Sequence, residues 1–166
     1  MPERPDLLPL KSVEEMEAFE NITDESYEAV VEYLQFLGGR NIHECVIFCL
    51  KEAVFDTVIC DYSVWGERGN RSLFNTRLIK AIYDAVSSNF QPPPHRDEFF
   101  KQVSEGVRFG KQRIRNITVG KKQQVTETEA RQKKHDEAQR NLLNHQRENL
   151  RNSSLPHATE EEDHQD

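Results

Sequence analysis

The sequence predicts an all-α fold: a compact bundle of five or six short helices, followed by a polar C-terminal extension that is partly helical or disordered. Three observations carry this. Apolar residues recur at three- and four-residue intervals through the first 115 positions, the period of a helix with one buried face. Polar capping residues stand immediately before those runs. Composition is shifted toward polarity, with 36% hydrophobic and 31% charged residues, so part of the 166-residue chain lies outside any core.

Ser12 with Glu15 makes a capping box, and Val13, Met16 and Phe19 give a short helix one apolar stripe, ending near Glu20. A second helix starts at Thr23 or Asp24. Tyr27, Val30, Val31, Leu34 and Leu37 share its inner face, and Gly38-Gly39 stops it. Asn41 caps a third helix, with Glu44 at the third position. Cys45, Val46, Cys49, Leu50, Ala53 and Val54 form a wide apolar face, with Ile42, Ile47, Phe48 and Phe55 around it, the pattern of a central helix.

Residues 57–62 read as a short helix or turn, and 65–71 as a loop with two glycines and Asn70. The next helix is expected from Ser72 or Asn75 to Val86, burying Leu73, Phe74, Leu78, Ile79, Ile82 and Val86. Pro92-Pro93-Pro94 ends any continuation. A last core helix is expected from Asp97 to Ile114. Phe99, Phe100, Val103 and Val107 mark its inner face, and Gly106 and Gly110 either weaken it or admit a close neighbour.

Domain organisation follows: a disordered start at 1–7, a helical domain at 8–116, a basic polar extension at 117–151 and an acidic disordered tail at 152–166. Thr126 and Glu129 form a further capping box in the extension, but Ala138, Leu142, Leu143 and Leu150 are too sparse for a sustained coiled-coil seam.

The ordered set of segments resembles a known family. Leu8-Pro9-Leu10-Lys11-Ser12-Val13-Glu14-Glu15 with Phe19-Glu20 is similar to its opening. Leu34-Gln35-Phe36-Leu37-Gly38-Gly39-Arg40 is similar to its double-glycine turn. Leu50-Lys51-Glu52-Ala53-Val54-Phe55, Tyr62-Ser63-Val64-Trp65-Gly66 and Leu78-Ile79-Lys80-Ala81-Ile82 complete the pattern. Over about residues 8–115 the chain thus resembles domain-of-unknown-function family 4806. It departs from that pattern in standing Trp65 one residue nearer the glycine. It also offers Val107 or Phe109 where the family has a tryptophan. The family implies no activity. A looser similarity, in an apolar helix followed by Ser-x-x-Gly and another helix, is to BEN domains, which implies an all-helical module binding DNA or protein partners.

Net charge is −7, but the blocks differ. Residues 1–67 hold 15 acids and 4 Lys/Arg, residues 68–151 hold 9 acids and 18 Lys/Arg, and residues 152–166 hold 5 acids and no Lys/Arg. An acidic total therefore hides a basic middle, suited to nucleic acid, to an acidic partner, or to pairing within the chain. Arg68 and Arg71 lie in the loop. Arg77 and Lys80 share an outer helix face. Arg108, Lys111 and Arg115 recur at helical spacing with Arg113 adjacent. Such groups neutralise phosphates, and loop arginines reach base edges. The plain alternative is a solvated face pairing with the acidic first helices. Trp65 reads as a partner anchor or as packing of the loop on the core.

No catalytic constellation is expected, and hence no enzyme, cofactor or small-molecule substrate. Five of six histidines fall in the proline loop or the polar C-terminal region, and no nucleophile is followed by a base in a known pattern. Gly66-Glu67-Arg68-Gly69-Asn70-Arg71 lacks the lysine-hydroxyl pair of a phosphate loop. Cys45 and Cys49 share a helix face that His43 does not, so they read as core rather than metal ligands. Three cysteines in apolar runs, with no leader-like start and no long apolar run, imply a reducing compartment and no membrane partner. Lys121-Lys122 with Arg131-Gln132-Lys133-Lys134 weakly matches a nuclear import signal, so a nuclear site is expected over a cytoplasmic one. The leading expectation is a non-catalytic module on duplex DNA. The alternative is a protein-interaction or self-associating module without nucleic acid.

Overall fold

The computed structural model describes residues 1–153; of the tail expected to be disordered at 152–166, Asn152 and Ser153 instead end a helix, and 154–166 lies outside the described residues. The fold is all-α, with six helices among the described residues: α1 Val13–Phe19, α2 Asp24–Leu37, α3 Ile42–Ala53, α4 Asp56–Ile59, α5 Arg77–Asn89 and α6 Arg96–Ser153. The chain divides into two compact units, Met1–Thr118 and Val119–Asp166.

Local chemistry sets the helix starts. Ser12 Oγ accepts from Glu15 N at 3.1 Å, Thr23 Oγ1 from Ser26 N at 3.1 Å, and Asn41 Oδ1 from Glu44 N at 2.8 Å. Each satisfies one of the amides that a helix start leaves unbonded. The return arm of the first capping box goes one residue further back than usual: Glu15 Oε2 accepts from Lys11 N. Glu44 behaves alike toward Arg40 N, and it also holds the Arg40 guanidinium.

In the first unit α5, rather than α3, is the central helix. It packs on α1, α2 and α3 and buries Leu78, Ile79, Ala81, Ile82, Ala85 and Val86. The apolar excess of α3 is partly external, since Phe48 stays 43% exposed while Cys45, Val46, Cys49, Leu50 and Ala53 are buried. The segment of α6 in this unit buries Phe99, Val103 and Val107. It approaches α3 and α4 closely at two glycines. A Cβ on Gly106 would stand 2.5 Å from Leu50 Cδ1, and one on Gly110 would stand 3.2 Å from Asp56 Oδ1. Close approach is thus the reason for these glycines in a helix interior, where glycine otherwise weakens the helix.

Further expectations are corrected. The loop after α4 contains two short strands, Tyr62–Ser63 (β1) and Arg71–Ser72 (β2), paired in parallel. Arg71 N, Leu73 N and Phe74 N donate to Asp61 O, Ser63 O and Val64 O at 2.8–2.9 Å. This ladder holds residues 71–74 extended, so α5 begins only at Arg77, with Thr76 Oγ1 accepting from Ile79 N. Phe74 is consequently 45% exposed instead of buried. Finally, the last core helix does not stop at Ile114. Thr126 is no cap: its hydroxyl donates back to Lys122 O and Gln123 O, as a threonine inside a continuing helix does.

Residues 1–7, expected to be disordered, have contacts. Leu7 packs against the core, and Arg4 Nη2 lies 3.8 Å from Glu52 Oε2. In the second unit the described residues, 119–153, are all helix, and Val125, Leu142, Leu143 and Leu150 are each more than half exposed. Among the described residues no helix is long and apolar enough to cross a membrane.

Candidate nucleic-acid interface

The eight basic residues singled out by spacing fall into three groups. Arg68, Arg108, Lys111 and Arg115 line one groove of about 450 Å³. Arg71, Arg77 and Arg113 hold carboxylates of the acidic first half. Lys80 lies along a second groove.

The basic groove has two walls. One is the turn after β1. Glu67 N donates to Ser63 Oγ at 2.8 Å, and Asn70 N donates to Glu67 O at 3.0 Å. Inside this turn Arg68 adopts a left-handed backbone, φ 57° and ψ 35°, which residues with a Cβ rarely take. The β1–β2 ladder flanks it. The opposite wall is one face of α6, where Arg108, Lys111 and Arg115 follow at three- and four-residue spacing.

Arg68, Arg108 and Arg115 are exposed and Lys111 is half-buried. None of the four has a carboxylate within 4 Å among the described residues. Two acids share the groove, Glu67 and Glu105. Glu105 Oε2 lies 3.3 Å from His43 Nδ1, which also contacts Gln102 Oε1 at 2.7 Å. Burial pushes the Cys60 thiol up from the ordinary value; Lys111 and Arg115 pull it back, and Asp61 and Asp56 oppose them.

The paired arginines serve the fold. Arg71 Nη1 donates to Glu17 Oε1 at 3.0 Å. Arg77, at the first position of α5, donates to Glu20 O and Ile22 O and pairs with Asp24 at 3.1 Å, so it closes the end of α1. Its guanidinium also lies over the Tyr27 ring, 4.9 Å from the centroid. Arg113 forms a two-bonded fork with Asp56. These three are therefore not free cations.

Trp65 is 55% exposed, yet it packs at a tilt against Phe74 and Phe100 at centroid distances of 4.9 and 5.3 Å. Packing on the loop and remaining available are thus combined in one side chain. Phe74, Phe100, Tyr83 and Arg96 were missed as surface groups. The apolar period assigns the phenylalanines to the interior, and only the β1–β2 ladder turns Phe74 outward.

Cys45 and Cys49 are wholly buried. Cys49 accordingly has its thiol pushed well up, by its hydrogen bond to Cys45 and by burial. Among the described residues no group of three His, Cys, Asp or Glu side chains is placed to share a metal ion. No family model, no curated protein and no solved structure matches this chain.

Proposed function

We propose that the chain is a non-catalytic nuclear module that contacts the phosphates of duplex DNA through the groove between the 65–70 turn and α6. One observation carries this reading. Arg68 comes from one stretch of sequence and Arg108, Lys111 and Arg115 from another, and all four face one groove without acid partners among the described residues. Cations left unpaired at the surface release condensed counterions when they meet phosphates, and this drives salt-sensitive association. The looser likeness to BEN domains points the same way; domain-of-unknown-function family 4806 adds no activity of its own.

The test is fluorescence anisotropy of the full chain with mixed-sequence duplex DNA at several salt concentrations. Four phosphate contacts give a slope of log affinity against log salt of about −3.6. Reversing Arg108 and Lys111 to Glu abolishes most of it. Absence of binding at low salt overturns the reading. The protein-interaction alternative rests on a different observation, the half-exposed Trp65 on Phe74 and Phe100.

A further inference from the structure

A second groove, of about 470 Å³, lies beside the start of α5. Its floor is apolar: Ile79 and Phe99 are buried beneath it, and Phe74, Tyr83 and Phe100 form its sides. Trp65 continues the apolar surface through its contacts with Phe74 and Phe100. Lys80 and Arg96 are exposed on its rim, and neither has a carboxylate within 4 Å among the described residues. Lys80 Nζ lies over the Tyr27 ring, 5.8 Å from the centroid. The one acid lining the groove, Glu20, is already engaged, with Oε1 accepting from Arg77 N at 2.8 Å. Arg77 itself is turned to Ile22 O and Asp24.

We infer that this groove docks a short acidic peptide of a partner protein, with one bulky aliphatic or aromatic side chain in the aromatic cup and carboxylates on Lys80 and Arg96. Charge complementarity sets the sign of the partner, because Lys80 and Arg96 have no carboxylate within 4 Å among the described residues, while the groove's acid, Glu20, already accepts from Arg77 N. The apolar floor sets the anchor, since aromatic pockets contribute most to binding when a large side chain displaces their water. Geometry argues against single-stranded nucleic acid here. Base stacking uses exposed ring faces in succession. The three surface rings are instead tilted against one another by 39°, 46° and 49°, forming a cup. The inference stands apart from the DNA reading, which uses the other groove.

Trp65 is the only tryptophan of the chain, so its emission reports directly on this surface. The full chain is titrated with capped Glu/Asp decapeptides carrying one central Leu, Ile, Met or Phe. A saturable change in emission is expected with at least one of them, with affinity on the order of tens of micromolar. The double variant K80E/R96E, both positions exposed, weakens it at least tenfold while its circular dichroism spectrum stays unchanged. A peptide with glycine at the anchor position binds at least tenfold more weakly. No saturation by any peptide up to about 1 mM overturns the inference. So does full affinity in K80E/R96E, equal affinity for the glycine peptide, or tighter saturation of the same signal by an oligouridine strand.

Discussion

Arg113 closes a fork on Asp56, with Nε at 2.7 Å from Oδ2 and Nη2 at 2.8 Å from Oδ1. The fork ties α6 to α4, and the carboxylate holds the guanidinium above its ordinary pKa. Two parallel bonds impose an orientation that a single-point cation cannot reproduce. Both side chains are about one-third exposed, so solvent screens part of the attraction. Asp56→Asn should therefore destabilise the protein by about 1 kcal/mol, and Arg113→Lys should fail to preserve stability. Urea unfolding checks both. A wild-type midpoint in Arg113→Lys would show that the fork geometry contributes nothing.

The division between paired and unpaired cations predicts a pattern in DNA binding. Arg71→Ala and Arg113→Ala remove groups that hold Glu17 and Asp56, so affinity should stay within about twofold of wild type. Arg68→Ala and Lys111→Ala remove unpaired groove residues, and each should lower the salt slope by about 1. Anisotropy titrations over a salt series read both quantities. Uniform losses across all four variants would mean that net charge alone, rather than this groove, attracts the duplex.

Gly39 answers to both backbone and space. Its φ is 156°, and a Cβ there would stand 2.6 Å from Cys45 N and 2.8 Å from Cys45 Cα. Those are backbone atoms of α3, which cannot step aside singly. Gly39→Ala should cost about 2–3 kcal/mol, the scale of a forced backbone conformation. The melting temperature should drop by roughly ten degrees. Gly120→Ala is the contrast: nothing lies within 4 Å of its Cβ position, and it sits within α6. That change should be neutral or stabilising, by up to about 1 kcal/mol. A thermal melt of each variant decides. Equal melting temperatures would remove the steric account of Gly39.

The readable parts of the sequence were those governed by near neighbours. Ser12, Thr23 and Asn41 cap helices because their oxygens reach an amide three residues on, a relation spacing alone reveals. The core faces of α2 and α3 follow the helical period in the same way. The hidden parts depend on partners far along the chain. Residues 71–74 look like the start of a helix until β1 pairs with them. Thr126 with Glu129 carries a helix-start signature, yet the helix it sits in began thirty residues earlier and nothing between breaks it. In the basic set, helical spacing correctly grouped Arg108, Lys111 and Arg115. It could not show that Arg71, Arg77 and Arg113 each hold an acid more than fifty residues away. The aromatic groove was illegible for the same reason, since Trp65, Phe74 and Phe100 meet only in three dimensions.

Tyr27 gives the fold an alkaline limit. Its hydroxyl donates to Asp84 Oδ2 at 2.6 Å, joining α2 to α5. Burial first, then the Asp84 carboxylate, pushes the phenol well above its ordinary value near 10, and Arg77 offsets only part of this. The sign follows from proton counts. Below pH about 10 the phenol is protonated in both the folded and the unfolded chain, and its stabilisation is present in full. Above that pH the unfolded chain releases the proton while the folded chain retains it, so unfolding becomes progressively more favourable. Tyr27→Phe removes the bond to Asp84 and should cost about 1 kcal/mol at neutral pH. It also removes this source of alkaline loss. The stability gap between wild type and Tyr27→Phe should therefore narrow as pH rises from about 10 to 11.5. Urea unfolding of both proteins across that range measures the gap. A constant gap would mean that Tyr27 ionises alike in the folded and unfolded chain, and that the bond to Asp84 does not hold its proton.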